Sequence, residues 1–192
     1  MNILYRLSGI FLPLMLILFI MSTGCNSNQD YESLVRGGLE SDKRVDSLLL
    51  GYHFGMTREE FRDTSFVMNQ QGIMTGFVEI EYPFHELKSE ALMKFYPEFQ
   101  DNKIVRIPIS VEYTKWAPWN EEYWPEELMV DLKEYYEKKY ETTFHKVYFP
   151  DIEEPGYVSI EGNREIRIYR DSESTAGLDF RDLTVFNPLE EE

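Results

Sequence analysis

Asp101-Asn102-Lys103-Ile104-Val105-Arg106-Ile107 and, later in the chain, Gly162-Asn163-Arg164-Glu165-Ile166-Arg167-Ile168 follow one pattern. Each is a two-residue turn, a basic residue, and a stretch ending in an apolar residue, Arg and Ile. Asp-Asn and Gly-Asn pairs enter the left-handed backbone region that tight hairpins need. Each copy is therefore read as a hairpin, and each follows a helical pattern by a similar distance. Self-similarity of this kind marks a repeated supersecondary unit. The fold class expected is α+β: two pseudo-repeated helix plus antiparallel-sheet units, about residues 55–113 and 124–186, packed as one domain. Helices on one sheet face would bury the 13 Phe and 13 Tyr.

Working outward, the first unit opens on Gly55-Met56-Thr57-Arg58-Glu59-Glu60-Phe61. Thr57 and Glu60 have capping-box spacing, and Met56 and Phe61 have hydrophobic-staple spacing. With Phe61, Ser65 and Met68 at helical intervals and Gly72 beyond, the pattern predicts a helix over 57–71. Residues 77–82 alternate as a strand with Pro83 as its stop. Residues 91–99 and 104–113 read as strands around Asp101-Asn102, and Pro108 marks an edge or a bulge. In the second unit Pro125 opens a helix to Tyr140 with Leu128, Leu132, Tyr135 and Tyr136 on its apolar side. Strands are predicted over 143–149, 156–161, 164–170 and 176–186. Between tether and first unit, Val45, Leu48 and Leu49 suggest a short helix over 41–50.

The Gly-Met-Thr-x-x-Glu-Phe run resembles the repeat start in small periplasmic lipoproteins of the outer-membrane assembly (SmpA/OmlA) type. It also resembles the related two-helix-plus-sheet fold of β-lactamase inhibitor proteins. The match spans about seven residues and lacks the Leu-Gly pair usual at the helix end in those families.

The N-terminus is a different kind of sequence. Arg6 precedes an apolar run, Leu7 to Met21, broken only by Ser8, Gly9 and Pro13, and no acidic residue comes before Asp30. A run of about fifteen residues fits a signal h-region better than the roughly 20 needed to cross a bilayer. Ser22, Thr23 and Gly24 then lead to Cys25, the only cysteine. This segment resembles the lipobox of bacterial lipoproteins, with Ser22 where that family prefers Leu. The resemblance implies cleavage of residues 1–24, lipid on Cys25, and membrane attachment. Asn26, not Asp, follows the cysteine, which by the Gram-negative sorting rule implies the outer membrane, on its periplasmic face or at the cell surface. An uncut signal anchor, or plain signal cleavage leaving Cys25 free, are the other readings of these residues. Residues 25–40, polar and ending in Gly37-Gly38, read as a flexible lipid-anchored tether. A single domain over 41–188 and an acidic tail over 189–192 complete the division.

Composition narrows the function classes. The net charge is −16, and because Arg6 is the only charged side chain before Cys25, the mature chain would carry about −17. Such a surface repels phosphate backbones, so nucleic acid is not an expected partner, and anionic lipid headgroups are poor ones. One cysteine allows no disulfide within the chain.

No chemical constellation stands out. His53, His85 and His145 lack metal-ligand spacing, and neither a nucleophile elbow nor a phosphate-binding glycine loop is present. No metal or cofactor is expected. Asp151 to Glu154 lacks the alternating spacing of a calcium loop. Glu79 and Glu81 share one strand face, the arrangement a glycoside hydrolase would use, but 35 acidic residues make such pairs common. The candidate binding residues are Trp116, Trp119, Tyr123 and Trp124, in a connector dense in rings, with Tyr113 beside them. They form either a stacking platform or a linker packed between the units. The expected function is non-enzymatic binding or scaffolding of another envelope component. The alternatives are an envelope hydrolase acting on glycan or peptidoglycan through Glu79 or Glu81, and a glycan-capturing surface lipoprotein using the tryptophans.

Overall fold

The computed structural model describes residues 27–190. The leader, the cleavage position and Cys25 lie outside the described residues, as do Glu191 and Glu192. The chain is α+β: helices α1 (Ser27–Glu40), α2 (Arg58–Gln70) and α3 (Pro125–Tyr140) flank one antiparallel sheet. Its strands are β1 (Ile80–Phe84), β2 (Ala91–Phe95), β3 (Glu98–Gln100), β4 (Lys103–Tyr113), β5 (His145–Phe149), β6 (Glu154–Glu161), β7 (Arg164–Arg170) and β8 (Ala176–Asp182). They lie in the order β1-β2-β4-β8-β7-β6-β5, with β3 also on β4.

The two pseudo-repeated units are visible in this order. Helix α2 leads into β1, β2/β3 and β4; helix α3 leads into β5, β6, β7 and β8. The matched heptads are the hairpins β3–β4 and β6–β7. Asp101 and Asn102 both have positive φ, whereas in the second turn only Gly162 does, the pattern that separates I′ from II′ hairpins. The units join where β4 pairs with β8, Ile107 opposite Phe180 and Ile109 opposite Leu178. Strand β8 has no counterpart in the first unit, whose equivalent stretch is the tryptophan-rich connector.

Thr57 caps α2 as its spacing predicts: its hydroxyl accepts from the Glu60 N–H, and Glu60 accepts from the Thr57 N–H at 2.8 Å. Pro108 sits opposite the break between β2 and β3, because Phe95 pairs with Ile109 and Glu98 with Arg106. A missing N–H is tolerated where the ladder is interrupted. Pro83 does not stop β1 but lies within it, opposite Leu92. Strand β1 is the sheet edge, where proline is permitted.

Further expectations are corrected. Residues 27–40 form helix α1 instead of a flexible tether. Tyr31 and Val35 are buried, with Leu34 and Leu39 packed beside them on Val147, Phe149, Val158 and Leu183. Gly38 is not a linker glycine: a Cβ there would lie 2.4 Å from Ile160 Cγ2, so the helix touches β6 only because the side chain is absent. The predicted helix over 41–50 is an extended segment ending in a one-turn 3₁₀ helix, Leu49–Gly51. Its backbone is claimed from outside: Asn163 Oδ1 accepts from the Val45 N–H and Arg164 donates to the Ser47 carbonyl. Finally, the helices do not share one sheet face. Helices α2 and α3 cover the face carrying Ile107, Ile109, Ile166, Ile168, Leu178 and Phe180, while α1 covers the opposite one. The acidic tail is also shorter than expected, since Leu189 packs against the α1 cluster.

Candidate docking site

The ring-rich connector after β4 divides its rings between the core and the surface. Tyr113 is buried and meets Tyr123 edge-on at 5.5 Å, so these two rings pack inward. Burial, helped by its hydrogen bond to Asp131, raises the Tyr113 hydroxyl well above its ordinary value. Trp116 is half-buried, with its indole N–H enclosed and unpartnered. Trp124 ends the connector as the residue before α3, partly exposed. Trp119 is the most exposed of these rings, at 85 %.

The acidic pairs fare similarly. Glu79 is exposed ahead of β1, and Glu81 lies 3.6 Å from Lys94. His53, His85 and His145 are all exposed, on three separate segments. Among the described residues no three His, Cys, Asp or Glu side chains converge to hold a metal ion.

A different feature is built with more care. Between α2 and β1 the chain turns at Gly76, whose φ is +92° and where a Cβ would fall 1.9 Å from the Glu79 carbonyl oxygen. Only glycine closes this turn. Thr75 and Glu81 exchange two backbone hydrogen bonds, at 2.9 and 2.8 Å, and Asn69 of α2 donates to the Gly76 carbonyl at 2.8 Å. The braced turn projects Phe77 and Val78 into water, 71 % and 85 % exposed. Phe66, Val67 and Ile73, on and after the last turns of α2, are exposed as well.

Phe77 also forms one wall of a groove of about 520 Å³. Phe61 and Ile80 line it from the core, with Tyr96 and Asn102 beyond. Arg58 and Arg62 come from α2. The Arg58 guanidinium is fixed 4.0 Å over the Phe99 ring and donates to the Tyr96 hydroxyl at 3.2 Å. Arg62 is more open, with Glu59 at 3.9 Å and Asp63 at 3.6 Å. Ser65, also lining the groove, is committed elsewhere: its hydroxyl meets the Phe61 carbonyl at 2.7 Å and Tyr52 at 2.8 Å. Chemically the groove offers an apolar floor and two guanidinium groups, with the Glu59 carboxylate on its rim beside Arg62, a place for an apolar side chain whose neighbouring carboxylate reaches Arg58. The sequence signal for it was present but ambiguous: Phe77-Val78 alternates with Ile80 and so reads as strand.

Beneath α1 lies an arrangement that alternation alone did not reveal. On β7, Glu165 and Arg167 are as buried as Ile166 and Ile168. Arg167 grips Asp151 at 2.7 Å, and its Nε faces Glu165 at 3.1 Å without the alignment of a hydrogen bond. Arg181 lies 3.5 Å from Asp151 and 3.7 Å from Glu165. Arg106 holds Asp179 at 2.8 Å. The Tyr31 hydroxyl enters this network from α1, donating to Glu165 at 2.8 Å and accepting from Arg167. Burial, with Glu165 next in weight, raises the Tyr31 hydroxyl far above its ordinary value. Burial opposes the charge on Arg167, but Glu165, Tyr31 and Asp151 outweigh it and keep the guanidinium charged. Each ion is compensated, so the network seats α1 on the sheet and offers no open chemistry.

No family model matches the chain, and no curated protein or solved structure is significantly similar to it.

Proposed function

We propose that this chain is a lipid-anchored envelope protein that binds another envelope protein through the Phe77–Val78 loop and the adjoining groove, without catalysing a reaction. The observation that carries this reading is the braced turn at Gly76. A tight glycine turn, a two-bond backbone bridge and a clamp from α2 together hold two large apolar side chains in water. Each exposed apolar group is disfavoured in water, and a rigid apolar projection lowers the entropy cost of docking. The partner segment that fits presents an apolar side chain next to a carboxylate, matching Phe77 and Ile80 on one side and Arg58 and Arg62 on the other. The anchor rests on the leader and Cys25, and the outer membrane on Asn26.

A photo-crosslinking residue at Val78 in intact cells tests the binding. The expected product is one defined adduct that disappears when Phe77→Ser is added and is not formed from a crosslinker at Lys146 on β5. The same adduct from both positions, or one indifferent to Phe77→Ser, would sink the proposal. For the anchor, Cys25→Ala should move the protein from membrane to soluble fractions; retention in the membrane would refute lipid attachment.

A further inference from the structure

The strand registers place four connections along one end of the sheet. Phe84 pairs with Ala91, Ala91 with Tyr113, Val111 with Ala176, Ala176 with Arg170, and Phe149 with Glu154. The β1–β2, β5–β6 and β7–β8 turns therefore share this end with the connector that follows β4. Helix α1 points the same way. Its Gly38 touches Ile160 and the Gly162 carbonyl near the β6–β7 turn, at the far end of the sheet. Seven residues back, about 10 Å along the axis, the Tyr31 ring lies 5.7 Å from Phe149, the last residue of β5. Ser27 lies four residues further on in that direction. Cys25 is two residues before Ser27, a reach of at most ~7 Å for an extended chain.

Because the helix begins at Ser27, a lipid on Cys25 holds this end of the domain against the bilayer. Trp119, the 85 % exposed indole of the connector, stands at the same end. Indole rings are favoured at the membrane–water interface, where the apolar ring meets acyl chains and the N–H stays hydrated. The same end carries Glu86, Glu90, Glu121, Glu122, Glu153, Asp171 and Glu173 against Lys88, Lys115 and Arg170, so it is repelled by anionic headgroups.

We infer that this end of the sheet docks on a zwitterionic lipid surface with Trp119 as its interfacial contact, orienting the domain so that the Phe77–Val78 loop points away from the membrane. This inference rests on the lipid anchor proposed above. Strand β4, with its 11 residues, runs from this end for about 35 Å, and Phe77 lies beyond the level of Ile80, which is set back from it by the full length of β1.

The test uses the full-length protein, extracted from membranes and reconstituted in phosphatidylcholine vesicles with or without acyl-chain bromination, a contact quencher of indole. Wild type should lose tryptophan emission in brominated vesicles, and Trp119→Phe should abolish most of that loss. Replacing half the lipid with phosphatidylglycerol should weaken the quenching at low salt and leave it restored at high salt. Equal emission in brominated and unbrominated vesicles, or quenching that survives Trp119→Phe, overturns the docking. The mass of the extracted protein reads the anchor separately. A diacylglyceryl mass on Cys25 without bromine quenching overturns the docking alone. Absence of that mass overturns the anchor and the docking with it.

Discussion

Removing one oxygen from α1 tests whether that helix belongs to the domain. The Tyr31 hydroxyl donates to Glu165 Oε1 at 2.8 Å and accepts from Arg167, while its ring packs edge-on to Phe149 at 5.7 Å. Tyr31→Phe keeps the ring and deletes both hydrogen bonds. Glu165 retains the Arg167 Nε at 3.1 Å and Arg181 at 3.7 Å, so its charge remains balanced. One of its oxygens nevertheless loses its only donor inside the protein, where no solvent replaces it. A hydrogen bond to a charged group contributes about 1.5–3 kcal/mol, and the variant should lose that much stability. For a domain of this size that is a fall in Tm of roughly 3–12 °C. Urea unfolding followed by far-UV circular dichroism measures the difference, with an unchanged m-value showing that the folded state still buries the same surface. Val35→Ala, a cavity on the same helix face away from the charges, serves as the companion variant and should also destabilise. If Tyr31→Phe and Val35→Ala both unfold within about 0.5 kcal/mol of wild type, the range of neutral surface substitutions, α1 contributes nothing and the helix reading is refuted.

Other outcomes follow from the same geometry. Thr57→Ala removes the cap of α2 and should cost about 1 kcal/mol in chemical denaturation, with Ser in its place restoring most of it. Gly76→Ala places a Cβ at φ +92° against the Glu79 carbonyl, and hydrogen exchange should rise at the Thr75 and Glu81 amides that the turn pairs; unchanged protection would mean the turn is not braced. Towards acid, Glu137 is held below its ordinary 4.5 by Lys133 and the Phe144 N–H, and Glu161 likewise by Lys43. Their contribution is present above pH 4.5 and is lost as pH falls through the depressed folded values, so thermal scans should show stability declining only below about pH 4.5. Towards alkali the sign reverses: burial pushes Tyr82 and Tyr140 up to about 12. Their contribution is intact below 10 and lost as pH rises towards 12, so tyrosinate absorbance should appear together with unfolding in that interval.

The contrast between α1 and α2 shows what could be read locally. Helix α2 carries its start signal in four consecutive residues, Thr57 to Glu60, so its position was legible. Helix α1 carries a helical stripe, Tyr31, Leu34, Val35 and Leu39, but has Gly37-Gly38 within it and only two fully buried apolar residues. Read alone, those glycines signal a linker. Gly38 is required by a contact with Ile160 about 120 residues away in sequence, which no local pattern encodes. Residues 41–50 failed for the same reason, their backbone bonds going to Asn163 and Arg164. Among the site candidates, the tryptophans were identified by density alone, and only folding separated the exposed Trp119 from the enclosed Trp116.

The sequence by itself determined the α+β class, the two repeated hairpins, the ends of α2 and α3, and the acidic surface, because turn chemistry, caps and periodicity act within a few residues. Tertiary structure decided which sheet face each helix covers, that Glu165 and Arg167 are buried as firmly as the isoleucines beside them, and which apolar side chains remain in water. Those outcomes depend on pairing between distant strands: once β8 joins β4 to β7, Arg167 falls opposite Asp179 and meets Tyr31 of α1. A charge in a strand is solvated or buried according to what lies above it, and the residues above these charges come from the other end of the chain.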